Sequence, residues 1–236
     1  MTGVFLQARM DSSRLPGKAL LRLAGKPLLL HAMESLKKVK ADIHVLVTEE
    51  GSVQAFRPLA REAGFELFAG DKLNVLRRFC DALTFFPVDT LIRATGDNPL
   101  VSWEMASRLI EEHKNMDADY SGFFGLPLGC GVEAVRRECL LRAERETGEP
   151  YDREHVTPYL YKNPGLFALH RPLAPAAFRS SFSVSVDTQE DFDRVAAVFA
   201  AIYRGGPPAL DDLMGWLRGE NGESGEKSGG FQEAIA

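Results

Sequence analysis

Val4-Phe5-Leu6-Gln7-Ala8-Arg9-Met10-Asp11-Ser12-Ser13-Arg14-Leu15-Pro16-Gly17-Lys18 joins two kinds of sequence in fifteen residues. Val4 to Leu6 is a short apolar run of the kind that forms a buried strand. It empties at once into a polar loop that carries three cations, Arg9, Arg14 and Lys18, with Pro16-Gly17 forcing a turn before the last of them. Such a loop has the chemistry to hold a polyanion such as a nucleoside triphosphate. Backbone N–H groups cradle phosphate, guanidinium forks bind it bidentately, and a lysine acts as a point charge.

Downstream of this loop, strand and helix signals alternate at short spacing. Pro27 suits the first position of a helix whose apolar residues Leu28, Ala32, Leu36 and Val39 recur at helical spacing. Ile43 to Val47 is a continuous apolar run, the mark of a strand covered on both faces. Gln54 to Ala63 reads as a helix stopped by Gly64, and Phe65 to Phe68 as a third strand. Asp71 is placed to cap a helix through Phe85, with Leu73, Leu76, Phe79, Cys80 and Leu83 as its core stripe. Val88 to Thr95 is a fourth strand, and Ser102 caps the helix after it. The alternation predicts an α/β fold with a mostly parallel sheet and helices on both faces.

The second half is less regular. Strands are expected within 118–123, 132–135, 166–170 and 182–186, and helices over 138–146 and 153–162. Thr188, with Asp191 three residues on, forms a capping box for a further helix. The expected organisation is a domain over 1–204, a linker with a short helix over 205–220, and a disordered polar tail over 221–236.

Composition narrows the function. The 236 residues are 45% hydrophobic and 26% charged, as in an ordinary globular protein. A formal net charge of -5 argues against a general nucleic-acid binder, so the basic loop suits a small anionic ligand. Cys80, Cys130 and Cys139 have no metal-site spacing, and an odd count argues against a disulfide framework. No apolar run is long enough to span a membrane, and no signal peptide is evident. A cytoplasmic protein is expected.

In an open α/β sheet, ligands sit beyond the carboxyl ends of the strands. Two carboxylates follow apolar runs at such ends: Asp97 in Thr95-Gly96-Asp97-Asn98-Pro99, and Asp187 in Val184-Ser185-Val186-Asp187-Thr188. Ninety positions apart, only the fold can unite them. Together they could bind one hard cation opposite the basic loop. Their alternatives are a turn aspartate capping its own backbone and a helix N-terminal carboxylate.

The stretch Gln7-Ala8-Arg9…Ser12-Ser13-Arg14-Leu15-Pro16-Gly17-Lys18 resembles the signature of sugar-acid cytidylyltransferases, nearest the spore-coat polysaccharide biosynthesis protein F type. Relatives of that type activate acylneuraminate and 3-deoxy-manno-octulosonate. The likeness continues at Arg93 to Leu100, Arg153 to Tyr159 and Ser185 to Phe192, in family order. It implies a nucleotide-diphospho-sugar transferase fold, Rossmann-like and of GT-A type, with a mixed, mostly parallel sheet. It also implies transfer of CMP from CTP to an acidic sugar or related acceptor, with release of pyrophosphate.

By the same resemblance, Leu6, Gln7, Ala8, Arg9, Arg14, Lys18, Thr95 and Asp97 bind the nucleotide. Arg9, Lys18, Asp97 and Asp187 are catalytic, and the two aspartates hold Mg²⁺. Glu133 lies toward the acceptor, and Arg153, Glu154 and His155 bind the acceptor's carboxylate or sit at a subunit contact; the alternative is that they are the polar first turn of a surface helix. A homodimer is the implied assembly. Two departures stand out. Gly131 replaces the acid of the usual Gly-Leu-Asp-Val-Glu, and Thr48 to Ser52 lacks the usual Asn/Asp-rich form. The alternatives are a nucleotidyltransferase using another triphosphate or a phosphorylated acceptor, and a non-catalytic nucleotide-binding subunit. A glycosyltransferase would usually carry an Asp-x-Asp motif, and Gly96-Asp97-Asn98 is not one.

Overall fold

The computed structural model describes residues 1–223. Its main sheet has seven strands: β1 (Thr2–Gln7), β4 (Ile43–Glu49), β5 (Glu66–Gly70), β6 (Thr90–Thr95), β7 (Tyr120–Gly122), β8 (Glu133–Arg136) and β9 (Leu169–His170). Two short strands, β2 (Arg22–Leu23) and β3 (Lys26–Pro27), form a separate hairpin. The spatial order is β5-β4-β1-β6-β8-β7-β9. β1 pairs in parallel with both β4 and β6, and β8 alone runs against its neighbours. The sheet is therefore mostly parallel, as the alternation predicts, and mixed, as the resemblance implies.

The apolar runs are continuous because each strand feeds two cores. Val4, Leu6 and Leu46 pack with α1 (Leu28–Leu36), α2 (Val53–Ala63) and α4 (Trp103–Asn115). Phe5, Val45 and Val47 face the other way, onto α3 (Val75–Phe85) and α5 (Arg137–Glu146). Two short helices, α6 (Pro150–His155) and α7 (Pro158–Lys162), extend that second layer. A third core joins α8 (Gln189–Ile202) to α9 (Leu210–Glu223) and includes Leu28, Val184 and Val186. Cys80, Cys130 and Cys139 are all buried and unbonded, and burial pushes each thiol pKa upward, to about 12 for Cys80 and Cys139.

The local structure departs from the expected elements at several points. α3 is capped by Asn74, which accepts from Arg77 N at 2.9 Å, and not by Asp71. Asp71 instead accepts from Leu73 N and Asn74 N, and Leu73 lies 80% exposed outside the core stripe. Residues 153–162 are not one helix. A γ-turn at Val156 (φ 77°, ψ −55°), closed by Thr157 N donating to His155 O at 3.0 Å, divides α6 from α7. That conformation is rare and strained for a β-branched residue.

Residues 182–186 are extended but join no ladder of the main sheet. Their backbone bonds run to two loops, Val184 N to Leu128 O and Val186 N to Asp97 O. The alternation of Phe182, Val184 and Val186 reports burial against the third core, not strand pairing. α9 continues to Glu223, past the 205–220 stretch in which a short helix is expected. The remainder of the expected disordered tail lies outside the described residues. The capping box at Thr188 and Asp191 forms as expected, as does the Ser102 cap. Among the described residues, no helix is long and apolar enough to cross a membrane.

Two stability experiments follow from this packing. Phe79→Ala removes a fully buried ring and lowers unfolding free energy by about 3–5 kcal/mol, while Phe85→Ala, 71% exposed on the same helix, costs less than about 1 kcal/mol, read from urea unfolding midpoints. The second concerns His113 on α4, buried 2.8 Å from Ser121 Oγ, where burial pushes its pKa down to about 4 from an ordinary 6.5. The unfolded chain takes up this proton first as pH falls. The stabilisation is thus complete above pH 6.5 and is lost as pH drops toward 4. Unfolding measured across that interval should show a shallower pH dependence in His113→Gln than in the wild type.

Candidate active site

The chain leaves β1 toward β4 and β5 on one side, then returns to place β6 on the other side of β1. Between the carboxyl ends of β1 and β6, connections diverge and a crevice opens. Gly96 N donates to Gln7 O at 2.8 Å and locks the two ends together. The approach is close enough that a Cβ on Gly96 would lie 2.9 Å from Ala8 Cβ and 2.7 Å from Leu29 Cδ1. The crevice is a cleft of about 320 Å³.

The loop after β1 forms one wall. It closes through Gly17, whose φ of 68° starts the 3-10 turn Lys18–Leu20, and through Gly17 N donating to Met10 O. The end of β4 and the turn after it brace it from behind: Thr48 Oγ1 donates to Ala8 O at 2.8 Å, Met10 N donates to Ser52 Oγ at 2.8 Å, and Ser52 Oγ donates to Glu49. Thr48 to Ser52 are therefore a support and do not line the cleft.

Lys18, 13% exposed, is the centre of the site. Its Nζ donates to Asp187 Oδ1 at 2.8 Å, to Asp97 Oδ2 at 3.2 Å and to the Val186 carbonyl at 2.7 Å. Arg14 reaches Asp187 Oδ1 at 3.0 Å from a more exposed position. The hydrogen bond from Val186 N to Asp97 O, 2.9 Å, is what carries Asp187 across the cleft to Asp97. Asp97 and Asp187, distant in sequence, thus share one ammonium.

Of the expected site residues, Gln7, Ala8, Arg9, Arg14, Lys18, Thr95, Asp97, Asp187, Glu154 and His155 line the cleft. Leu6 does not, because its side chain is fully buried in the α1/α2 core. Glu133 is withheld from the lining: it pairs with Arg93 and accepts from Tyr120 OH at 2.8 Å and Thr157 Oγ1 at 2.6 Å. Arg153 also points elsewhere, donating to Thr147 O at 2.9 Å. Gly131 lies outside the lining, and a Cβ there would meet only Leu126, at 3.7 Å.

Two lining arginines were not singled out from the sequence. Arg93 Nε donates to Gln7 Oε1 at 3.1 Å and fixes that amide at the cleft floor. Arg78 on α3 is 2% exposed and donates to two backbone carbonyls, Asp71 O and Lys72 O, and burial lowers its pKa. The strand alternation around Arg93 was the available signal for the first. Arg78 sits at the edge of an apolar stripe, where an arginine normally reads as a solvated flank. With both counted, the lining holds five cations, Arg9, Arg14, Lys18, Arg78 and Arg93, against three carboxylates, Asp97, Glu154 and Asp187. Arg93 is neutralised by Glu133 just behind the lining, which leaves the cleft one positive charge in excess in a protein of net charge -5.

Residues 4–204 match a protein family described as cytidylyltransferase. An uncharacterized protein of Methanocaldococcus jannaschii is 37% identical over 191 residues, 79% of this chain and 78% of that one. The spore coat polysaccharide biosynthesis protein SpsF of Bacillus subtilis is 30% identical over 202 residues, 82% of this chain and 84% of that one. The solved structure of a cytidylyltransferase from Leptospira borgpetersenii superposes with a TM-score of 0.86 at 22% identity, covering 97% of this chain and 99% of its own.

The Glu133 network sets a testable cost. Glu133→Ala strands the Arg93 charge and two hydroxyls, so stability measured by urea unfolding falls by about 2–4 kcal/mol. Glu133→Gln keeps an acceptor and costs less.

Proposed function

The chain belongs to the cytidylyltransferase family, and from that premise we propose that it transfers CMP from CTP to an acidic sugar or related acceptor and releases pyrophosphate, in the making of a cell-surface glycan. The observation that carries this reading is the convergence of Arg14, Lys18, Asp97 and Asp187 at one end of a cleft with excess positive charge. Arg9, Arg14 and Lys18 hold the triphosphate. Gln7, Ala8 and Thr95 lie along the floor between the strand ends, where the nucleoside would rest.

Asp97 and Asp187 fit a divalent cation, for which we propose Mg²⁺. A cationic group already sits between their oxygens, so the point is one where positive charge is stabilised. Among the described residues no cluster of three or more His, Cys, Asp or Glu side chains is placed to hold a metal. Two carboxylates suit an ion that completes its shell with water and phosphate. When bound, the ion supplies charge stabilisation at the phosphate oxygens.

The chain's own residues supply positioning. The acceptor oxygen attacks the α-phosphorus in line, and the bond to the β-phosphate oxygen breaks as negative charge gathers on the departing pyrophosphate. Arg9, Arg14 and Lys18 meet that charge from fixed positions, so little reorganisation accompanies the step. Glu154 and His155 stand at the opposite rim, on the side proposed for the acceptor. Thr157 and the γ-turn hold that rim to Glu133, and through Arg93 to the floor.

Pyrophosphate release assayed with CTP, Mg²⁺ and a panel of acidic sugars tests the reaction. Asp97→Ala should lower turnover by about 10³-fold or more with the fold intact, and unchanged turnover would overturn the mechanism. CTP with Mg²⁺ at saturating concentration should raise the melting temperature by about 5–10 °C. An equal or larger rise with UTP, GTP or ATP would reassign the nucleotide.

A further inference from the structure

Lys18 Nζ is held in a cage built for a cation. It has three N–H donors, and all three are matched, by two carboxylate oxygens and one carbonyl oxygen within 3.2 Å. At 13% exposure it is largely out of water, and the carboxylates are only 28% and 34% exposed. Two ionised carboxylates brought together at a strand end repel, and here the ammonium offsets that repulsion. With Arg14 on Asp187, the formal charges of the four groups cancel.

A metal ion held between Asp97 and Asp187 takes the place that Nζ now fills, where the ammonium is bonded to Asp97 Oδ2 and Asp187 Oδ1. It therefore displaces Nζ, and a displaced ammonium needs another anion. With Arg93 neutralised by Glu133, the lining still carries one positive charge in excess, so a bare divalent cation adds to an unfavourable field. A metal–triphosphate complex brings its own anions, which accept the displaced Lys18 and neutralise the excess. We propose that Lys18 is the resident counter-ion of the Asp97–Asp187 pair and excludes free divalent cations, so that the metal is admitted only together with the triphosphate. This rests on the nucleotidyl-transfer reading of the cleft. It makes metal and nucleotide binding positively coupled, each raising the affinity for the other by the same factor.

The test titrates Mn²⁺ into nucleotide-free protein and counts free ion by electron paramagnetic resonance. Wild type should bind weakly. Lys18→Gln, which removes the charge, should bind Mn²⁺ at least about tenfold more tightly. Lys18→Arg, which keeps it, should remain as weak as wild type. Adding CTP should tighten the wild type toward the Lys18→Gln affinity, and Asp97→Asn introduced into Lys18→Gln should abolish the gain. Circular dichroism and urea unfolding establish that each variant is folded. Should Lys18→Gln fail to fold, Lys18→Met takes its place in the same titration.

A charge-removing variant that binds Mn²⁺ no more tightly than wild type overturns the proposal, as does a wild type whose Mn²⁺ affinity is already that of the variant. Neither result depends on turnover. Loss of the transferase reading would appear separately, as absence of any nucleotide-induced melting shift or pyrophosphate release.

Discussion

Two parallel strands that pair with each other, but whose chains depart in opposite directions, cannot both be covered at their carboxyl ends. β1 and β6 are such a pair, and everything chemical in this molecule follows from the gap they leave. The gap is kept narrow by a glycine, Gly96, where a side chain would force the loops apart. It is kept in shape by the end of β4 and the turn after it, which brace the basic loop through Thr48 and Ser52. The third core matters for the same reason. Val184 and Val186 bury against α8 and α9, and in doing so deliver Asp187 to a partner ninety residues away.

Two kinds of ion pairing coexist within the cleft, and their surroundings separate them. Arg93 and Glu133 are shielded, and the carboxylate is further occupied by Tyr120 and Thr157, so the pair is a structural fixture joining floor to rim. Lys18 and its two aspartates are linked only to one another, to Arg14 and to one carbonyl. A charged ligand can replace contacts of that kind, whereas breaking the first pair would leave the Arg93 charge and the Tyr120 and Thr157 hydroxyls unsatisfied. Permanence and exchangeability are thus set by what kind of group each charge is bonded to.

Much of this was legible in the sequence. The alternating runs predict the sheet and both helical layers, because continuous apolar strands have no other way to be covered. The basic loop and the two aspartates point to one site because charge at strand ends has few structural uses. The boundaries that failed did so for local reasons. Asn74 outcompeted Asp71 as a cap because Asp71 is engaged by the turn before α3. The alternation at 182–186 is a burial signal, and a burial signal does not say whether the backbone finds a strand or a loop. Arg78 and the γ-turn at Val156 escaped notice since both depend on tertiary packing that overrides residue preference. Glu133 is expected beside the acceptor, yet its carboxylate is taken up by Arg93, Tyr120 and Thr157, and Arg153 donates to the Thr147 carbonyl.

The three thiols carry a practical consequence. All are buried, and all are held in the protonated form far above neutral pH by loss of hydration. Thiolate is the reactive species, so at neutral pH the native chain is nearly silent toward alkylating reagents and mild oxidants. The molecule arrives with a blank background for site-directed labelling. A cysteine introduced on the rim beside Glu154 would carry a fluorophore or spin label without removal of any native residue, and the width of the cleft could then be followed as nucleotide enters.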